Sequence, residues 1–260
     1  MPSRLVLVLA LLLAYPAAAL DFRVLVFTKT TGFRHDSIPN GIALVQSLGK
    51  GYGFAVDATE DAGVFTAMGL APYRVVVFLN TTKNDVLDNG QRAALEAWVR
   101  GGGGWVGIHS AADTEHTWPF YGELLGGDAW FLIHPPIQTA TVEVEDGAHV
   151  STRHLPASFS FTDEWYNFAA NPRGAVQVLM TLDESSYSPG TGAMGDHPIA
   201  WSHDVDLGRS WYTNLGHRQE TYGQVAFVRH VLGGILWAAG VLFHDGFESQ
   251  NASGWALVTP

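Results

Sequence analysis

The chain has 260 residues and a formal net charge of −11, with nine tryptophans, eight tyrosines and no cysteine. Disulfides, a thiolate nucleophile and thiolate metal ligands are therefore excluded. Lysine and arginine form no cluster, so the acidity argues against nucleic acid or an anionic membrane as a partner, because both are bound through basic surfaces. The aromatic content fits a neutral, hydroxyl-rich ligand such as a small carbohydrate, and it fits an aromatic core equally well.

Residues 1–19 have the pattern of a secretory signal peptide. Arg4 precedes an apolar run from Leu5 to Ala14, and the segment ends in three alanines, the last of which is Ala19. An apolar run of about ten residues is short for a bilayer that requires about twenty. Cleavage after Ala19 is therefore favoured over a membrane anchor. We expect an exported protein, periplasmic or extracellular, that has no membrane contact after cleavage.

Strands and helices alternate in the first half of the chain. The apolar patterns predict strand 22–28, helix 37–53, strand 54–59, strand 73–81, helix 88–104 and strand 105–109. Ser37 stands where an N-cap is expected, Pro39 falls near the first turn, and glycines close both helices. Apolar strands that alternate with helices are typical of a parallel sheet with helices on both faces.

The second half is predicted to contain shorter strands and one long helix. The strand-like segments, for which we expect antiparallel pairing, are 137–146, 158–168, 175–184, 197–205 and 209–215. Residues 222–240 carry an apolar stripe at helical spacing that predicts a closing core helix. We take residues 20–243 as one domain and residues 244–260 as an appended tail. Whether the protein forms a homo-oligomer is left open.

The residues that follow the predicted parallel strands are the first candidates for a site. Open α/β sheets bind ligands beyond the carboxyl ends of their strands, and His35, Asn80, His109 and Ser110 follow three of them. The later segments DEWY, GDHPIAW and NLGHR add carboxylates, histidines and aromatic residues, namely Asp163, Glu164, Tyr166, His197, Trp201 and His217. We expect these groups to converge on one cleft.

Other histidines rank lower as candidates. His134, followed by two prolines, is intermediate, whereas His149 and His154 flank a turn and are expected at the surface or behind the site. His230 falls in the predicted closing helix and His244 in the tail. We leave these last two out of the site.

The stretch GGGGWVGIHSAAD (101–113) has the strand, sharp turn and helix order of a nucleophile elbow. His109 stands where class I glutamine amidotransferases have cysteine, so a thiol mechanism for cleaving amides is excluded. No G-x-S-x-G frame surrounds Ser110, which disfavours a serine hydrolase.

The chain resembles the ThuA-like (trehalose utilisation) family over about residues 22–240, through the motifs GFRHDSI, GGGWVGIHSAAD, DEWYNF, HPIAW, GR-x-WYTNLGH and GGILWA. The resemblance implies a flavodoxin-like, class I glutamine amidotransferase-like α/β fold without the amidotransferase cysteine. It also implies a role in carbohydrate metabolism, with disaccharides and 3-keto sugars among the substrates. By motif, the family's site residues correspond to His35, His109, Asp163, Glu164, Tyr166, His197 and His217.

Two kinds of catalysis suit such a site. Glu164 with His109 or His217 could form a general acid/base pair for isomerisation, elimination or hydrolysis of a disaccharide or 3-keto-glycoside. This is the chemistry of a keto-sugar isomerase, a lyase or a glycoside hydrolase. Alternatively, His35, His109 and His217, with or without Glu164, could hold a divalent metal such as zinc. No local H-x-H or H-E-x-x-H spacing supports the metal.

A carbohydrate-binding protein without turnover is the alternative from another class. Trp165, Trp201 or Trp211 would then stack on the sugar ring, and the same loops would hold its hydroxyl groups. Several titratable imidazoles beside a carboxylate favour an enzyme over a binder. For the enzyme we expect His35, His109, Asp163, Glu164 and His217 to be catalytic, and the substrate contacts to be Asn80, Ser110, Tyr166, His197 and Trp201.

Overall fold

The computed structural model describes residues 20–241, so the predicted signal peptide and tail lie outside the described residues. The strands are β1 (Arg23–Phe27), β2 (Ala55–Thr59), β3 (Val75–Leu79), β4 (Gly104–Ile108), β5 (Phe131–Ile133), β6 (Gln138–Val144), β7 (Ser158–Asp163), β8 (Asn167–Phe168), β9 (Gln177–Asp183), β10 (Pro198–Val205) and β11 (Gly208–Thr213). The α-helices are α1 (Ile38–Tyr52), α2 (Ala67–Leu70), α3 (Asn89–Arg100), α4 (Pro119–Leu124) and α5 (Val225–Ala238). Within this part of the chain, no helix has the length and apolarity to span a bilayer.

One sheet of nine strands forms the centre of the protein, in the order β2-β1-β3-β4-β11-β10-β9-β6-β7. The first five strands of that order pair in parallel. This part matches the 2-1-3-4-5 order of flavodoxin-like folds, in which ligands bind at the carboxyl ends of the strands. β5 and β8 form a separate antiparallel pair.

Most of the predicted elements are confirmed, but the predicted strand 158–168 divides into β7 and β8, which belong to different sheets, and one strand differs in direction. β11 was expected to pair only antiparallel, and it pairs antiparallel with β10 but parallel with β4. The reason is the tight turn between β10 and β11, which reverses the chain and so aligns β11 with the parallel strands. The successive antiparallel pairings of β10, β9, β6 and β7 then make β7 run in the same direction as β11. The carboxyl end of β7 therefore faces the same edge of the sheet.

The core occupies both faces of the central sheet. β3 (VVVFL) is buried along its whole length, as expected for a central parallel strand. Its residues alternate between two apolar clusters, with Val75 and Val77 facing α1 and α5, and Val76 and Phe78 facing α3 and α4. Helices therefore cover both faces of the sheet, as the alternating pattern predicts.

The start of α1 is tied to the loop that follows β11. Ser37 occupies the N-cap position, but its hydroxyl makes no capping bond and instead donates to the carbonyl of Gly216 at 3.2 Å. Asn80 Nδ2 donates to the same hydroxyl at 3.1 Å. The side-chain cap expected for Ser37 is therefore replaced by a buried connection between the loops after β1, β3 and β11.

Candidate active site

Three histidines and one glutamate meet at the carboxyl edge of the sheet. His35, His109, Glu164 and His217 follow β1, β4, β7 and β11, and they form what we call the histidine–glutamate cluster. Each residue offers one nitrogen or oxygen atom, and these atoms all lie within 4.8 Å of one another. His35, His109 and Glu164 are buried, and His217 is partly exposed. The four groups come from segments far apart in the sequence, and the sheet topology brings them together.

His109 owes its position to a strained turn. It has φ of 49°, in the left-handed region that non-glycine residues rarely adopt, between β4 and a 3-10 helix (His109–Asp113). Such a residue costs about 1–2 kcal/mol relative to an ordinary conformation. The hydroxyl of Tyr212 donates to the carbonyl of His109 at 2.8 Å and so supports the turn. The turn thus projects an imidazole from the carboxyl end of β4.

The orientation of the His109 ring is fixed from behind. Its Nδ1 lies 2.7 Å from the carbonyl oxygen of Asn214, which can only accept a hydrogen bond. Nδ1 therefore carries the proton, and Nε2 faces the cluster. Nε2 lies 3.3 Å from Glu164 Oε2 and 3.3 Å from Nδ1 of His217.

Glu164 stands among three imidazoles. Its Oε2 lies 3.3 Å from Nε2 of His109 and 3.1 Å from Nδ1 of His217, and its Oε1 lies 3.1 Å from Nδ1 of His134. Burial disfavours the ionised carboxylate, but the neighbouring imidazoles of His109 and His217 outweigh burial and hold the pKa of Glu164 well below its ordinary value. Glu164 is therefore ionised at neutral pH.

The other two histidines of the cluster have opposite shifts. Burial, followed by the nearby imidazoles of His109 and His217, lowers the pKa of His35 to about 2. Burial also opposes the charge on His217, but the hydrogen bond to Glu164 prevails and raises the pKa of His217. The hydroxyl of Ser110 lies 3.3 Å from Nδ1 of His35 and orients that ring. The cluster therefore combines a neutral imidazole with one that readily carries a proton.

Asp163 supports the cluster from beneath and does not face it. Its Oδ1 accepts from the backbone amides of Glu164 at 2.9 Å and His217 at 3.2 Å. Its Oδ2 accepts from the amide of Gly216 at 2.9 Å and from the hydroxyl of Thr221 at 3.1 Å. The side chain is fully buried. Asp163 was predicted to be catalytic, and its contacts make it a positioning residue that joins the Glu164 and His217 segments.

Several predicted substrate contacts also lie behind the cluster. Asn80 is fully buried and donates to the carbonyl of Gly216 at 3.3 Å, so it braces the loop that carries His217. Tyr166 packs its ring on His109 with centroids 4.4 Å apart. His197 lies 2.8 Å from the carbonyl of Tyr166 through Nε2 and 2.9 Å from Glu184 through Nδ1. His197 thus holds the segment that carries Glu164 and Tyr166.

The tryptophans proposed for sugar stacking belong to the core. Trp165, Trp201 and Trp211 are fully buried. Trp201 packs against Phe168 and Tyr212, with ring centroids 5.3 and 4.5 Å away. A buried ring offers no face to a sugar, so the structure does not support the expected substrate contact of Trp201. Its indole lies in the apolar cluster on the face of the central sheet that α3 and α4 cover.

The structure adds His134, which the sequence ranked only as intermediate, to the surroundings of the site. His134 follows β5, and the pairing of β5 with β8 brings it to Glu164. Its Nδ1 is shared between Glu164 and the carbonyl of Pro135 at 2.9 Å. His134 also lines an open cavity of about 560 Å³, with Ile133, Pro136, Gln138, Asn167 and Thr191. The cavity therefore borders the cluster through a partly exposed imidazole.

The geometry defines a class of protein: a flavodoxin-like α/β protein with a histidine–glutamate cluster at the carboxyl edge of its parallel strands. The sequence profile of the ThuA family, described as trehalose utilisation, matches residues 23–238. The chain belongs to this family. Comparison with curated protein sequences gives no significant match.

Solved structures agree with the family assignment. A ThuA-like protein from Bacteroides uniformis is 30% identical, with a TM-score of 0.73 over 86% of this chain and 94% of that one. A second, from Parabacteroides merdae, is 19% identical with a TM-score of 0.67 over 87% and 93% of the two chains. A protein from Salmonella typhimurium described as cytoplasmic is 11% identical, with a TM-score of 0.57 over 84% and 98%, and it shows the fold alone.

Proposed function

We propose that the protein is an exported enzyme that acts on a disaccharide or 3-keto-glycoside, with the histidine–glutamate cluster as its reaction centre. The observation that carries the proposal is one buried carboxylate, Glu164, in contact with the imidazoles of His109, His217 and His134. Such gatherings of perturbed titratable groups are typical of catalytic sites. The family description, trehalose utilisation, supports a carbohydrate as the substrate class.

Proton abstraction beside a carbonyl is the chemistry that this site would best support. In a 3-keto-glycoside the C2–H bond is acidified by the C3 carbonyl, and its removal leaves an enolate. Return of a proton to C3, with loss of the proton of the C2 hydroxyl, moves the carbonyl to C2 and gives isomerisation. Cleavage of the C1–O bond, with a proton passed to the departing oxygen, gives elimination, and addition of water to the resulting alkene completes net hydrolysis. All three reactions need one base, one acid and a positive group near the enolate oxygen.

His134 is the best-placed base. Its Nδ1 proton is shared between Glu164 and Pro135, so in the neutral ring the lone pair is on Nε2. The side chain is 40% exposed and lines the cavity beside the cluster. Glu164, whose pKa is lowered, is a weak base and serves to orient the imidazoles. This refines the pairing of Glu164 with His109 or His217 expected from the sequence.

The cluster would supply the positive group. The raised pKa of His217 favours its protonated form, and that charge lies beside Glu164 at the buried end of the site. A carbonyl oxygen that developed negative charge in the transition state would be stabilised there. A binder that stacks a sugar on Trp165, Trp201 or Trp211 has less support, because these rings are buried.

A turnover screen tests the proposal. Native and 3-oxidised disaccharides are incubated with the wild type, Glu164→Gln and the control His203→Gln, and products are identified by mass and NMR. His203 lies near the end of β10 that is remote from the cluster, where its Nε2 meets the carbonyl of Glu123. We expect the oxidised sugar to be consumed by the wild type and the control, and at least 100-fold more slowly by Glu164→Gln. No turnover of either sugar class, or full activity of Glu164→Gln, would contradict the proposal.

Export is part of the same proposal and is supported by the pattern of residues 1–19. The protein recovered from the periplasm or medium of an expressing bacterium is expected to begin at Leu20. An intact mass that retains residues 1–19, with the protein held inside the cell, would contradict it.

A further inference from the structure

We propose that His35, His109, His217 and Glu164 bind one divalent first-row transition metal ion through three imidazole nitrogens and one carboxylate oxygen. This goes beyond the proposed function, because metal binding is independent of any sugar. The ligand set contains no thiolate, which favours ions from manganese to zinc that accept nitrogen and oxygen ligands.

The spacing of the ligand atoms fits a metal centre. Bonds of about 2.0–2.1 Å in a tetrahedral zinc site place neighbouring ligand atoms about 3.3–3.5 Å apart. Nε2 of His109 lies 3.3 Å from both Oε2 of Glu164 and Nδ1 of His217, and the last two atoms are 3.1 Å apart. Three atoms thus already form a triangle close to one face of such a tetrahedron. His35 brings a fourth ligand within the same 4.8 Å limit.

Hydrogen bonding also leaves lone pairs that converge. Nδ1 of His109 must donate to the carbonyl of Asn214, so Nε2 of the neutral ring has a lone pair but no proton. This lone pair faces a carboxylate oxygen and a ring nitrogen of His217. A proton on Nδ1 of His217 can form a full hydrogen bond with only one of the other two atoms, Nε2 of His109 or Oε2 of Glu164. One metal ion would accept electron pairs from all of them at once.

The surroundings have the second layer of contacts that metal ligands usually have. Ligating histidines commonly donate their other N–H group to a carbonyl or a polar side chain. His109 does so to Asn214, and Nδ1 of His35 meets the hydroxyl of Ser110, which leaves Nε2 of His35 for the ion. On Glu164, His134 holds Oε1 and leaves Oε2 for the ion. In the proposed reaction the ion would take over from protonated His217 the stabilisation of the enolate oxygen.

Metal binding to the untagged, full-length chain tests the inference without a substrate. The protein is treated with chelator, dialysed and titrated with Zn²⁺ by calorimetry and with Co²⁺ by visible absorption. We expect one equivalent of metal with submicromolar affinity, and Co²⁺ bands that report nitrogen and oxygen ligands. Glu164→Gln and His217→Ala should each weaken binding by at least 100-fold, whereas the control His154→Gln should leave it unchanged. His154 contacts the carbonyl of Ala226 at the start of α5 and is outside the cluster.

The outcomes separate this inference from the proposed function. His217 is partly exposed, so its variant is expected to stay folded by circular dichroism even where Glu164→Gln does not. Failure of the wild type to bind either ion would overturn the inference, as would equal binding by wild type and both cluster variants. Tight binding without turnover of any keto sugar would support the metal site and contradict the proposed function. Turnover of a keto sugar by wild-type protein that binds neither ion would support the proposed function and contradict the metal site.

Discussion

Asp163 and Glu164 are adjacent in the chain, and their carboxylates have separate tasks. Asp163 turns inward and accepts from the backbone amides of Glu164, Gly216 and His217. Glu164 turns toward the imidazoles of the cluster. The first carboxylate fixes the relative position of two segments, and the second meets the groups that we propose carry the chemistry.

Replacing Asp163 with asparagine should destabilise the fold. The amide retains only one acceptor oxygen and would direct its NH₂ group at backbone donors in a fully buried site. We expect Asp163→Asn to lose about 2–4 kcal/mol in free energy of unfolding, measured with urea. The matched change Asp183→Asn, at the partly exposed end of β9, should lose less than about 1 kcal/mol. Equal losses in the two variants would remove the positioning role of Asp163.

The strain at His109 can be measured with a pair of variants. Both His109→Ala and His109→Gly remove the imidazole, but only glycine adopts φ of 49° without a penalty from Cβ. Glycine also adds chain entropy to the unfolded state. We expect the glycine variant to be about 1 kcal/mol more stable than the alanine variant, because the relief of strain exceeds that cost. An alanine variant that is more stable than the glycine variant by the entropy cost of glycine, about 0.5–1 kcal/mol, would show that the turn stores no strain.

Added imidazole should restore activity to a variant that lacks the His134 side chain. In His134→Ala the base is lost, and general base catalysis of this kind contributes about 10²-fold or more to the rate. Because the side chain is 40% exposed beside the cavity, added imidazole should restore part of kcat in a saturable manner. The control His109→Ala, whose ring is fully buried, should not respond. If added imidazole leaves the kcat of His134→Ala unchanged, His134 has a structural role and is not the base.

Acid should destabilise the protein through buried His230. Burial lowers the pKa of His230 to about 3, below the ordinary value of about 6.5 expected in the unfolded chain. The unfolded state then binds more protons, so stability falls as the pH drops below about 6.5. Between pH 7 and 4.5 this residue alone accounts for about 2.5 kcal/mol. Between pH 7 and 4.5, the free energy of unfolding measured with urea should therefore fall by about 2.5 kcal/mol less in His230→Gln than in the wild type. Identical losses would contradict the assignment.

The fold could be predicted from local patterns, whereas parts of the site could not. Buried apolar strands such as β3 have a strong sequence signal, and the order of parallel strands then fixes where their following residues meet. The carboxylates of Asp163 and Glu164 could not be assigned from the sequence, because adjacent residues in extended chain point in opposite directions. The contact of His134 with Glu164 depends on the short strands β5 and β8, whose pairing has no periodic signal.

Trp201 is another residue whose role could not be assigned from the sequence alone. The segment HPIAW ends in a residue type that often binds sugars, and the sequence did not show that β10 is flanked on both edges. Burial of the indole depends on which elements cover its face of the sheet, which is a long-range property. The motif thus located the region of the site, and only the topology separated the groups that face the cleft from those that support it.

The central claim is that the histidine–glutamate cluster and His134 move a proton beside a sugar carbonyl. The most direct test is to incubate a 3-keto disaccharide with the enzyme in D₂O and follow C2 by NMR. The account predicts enzyme-dependent deuterium at C2 of recovered substrate or product, reduced at least 100-fold in Glu164→Gln and unchanged in His203→Gln. Consumption of the sugar with no deuterium above the uncatalysed background, or equal exchange by Glu164→Gln, would contradict it.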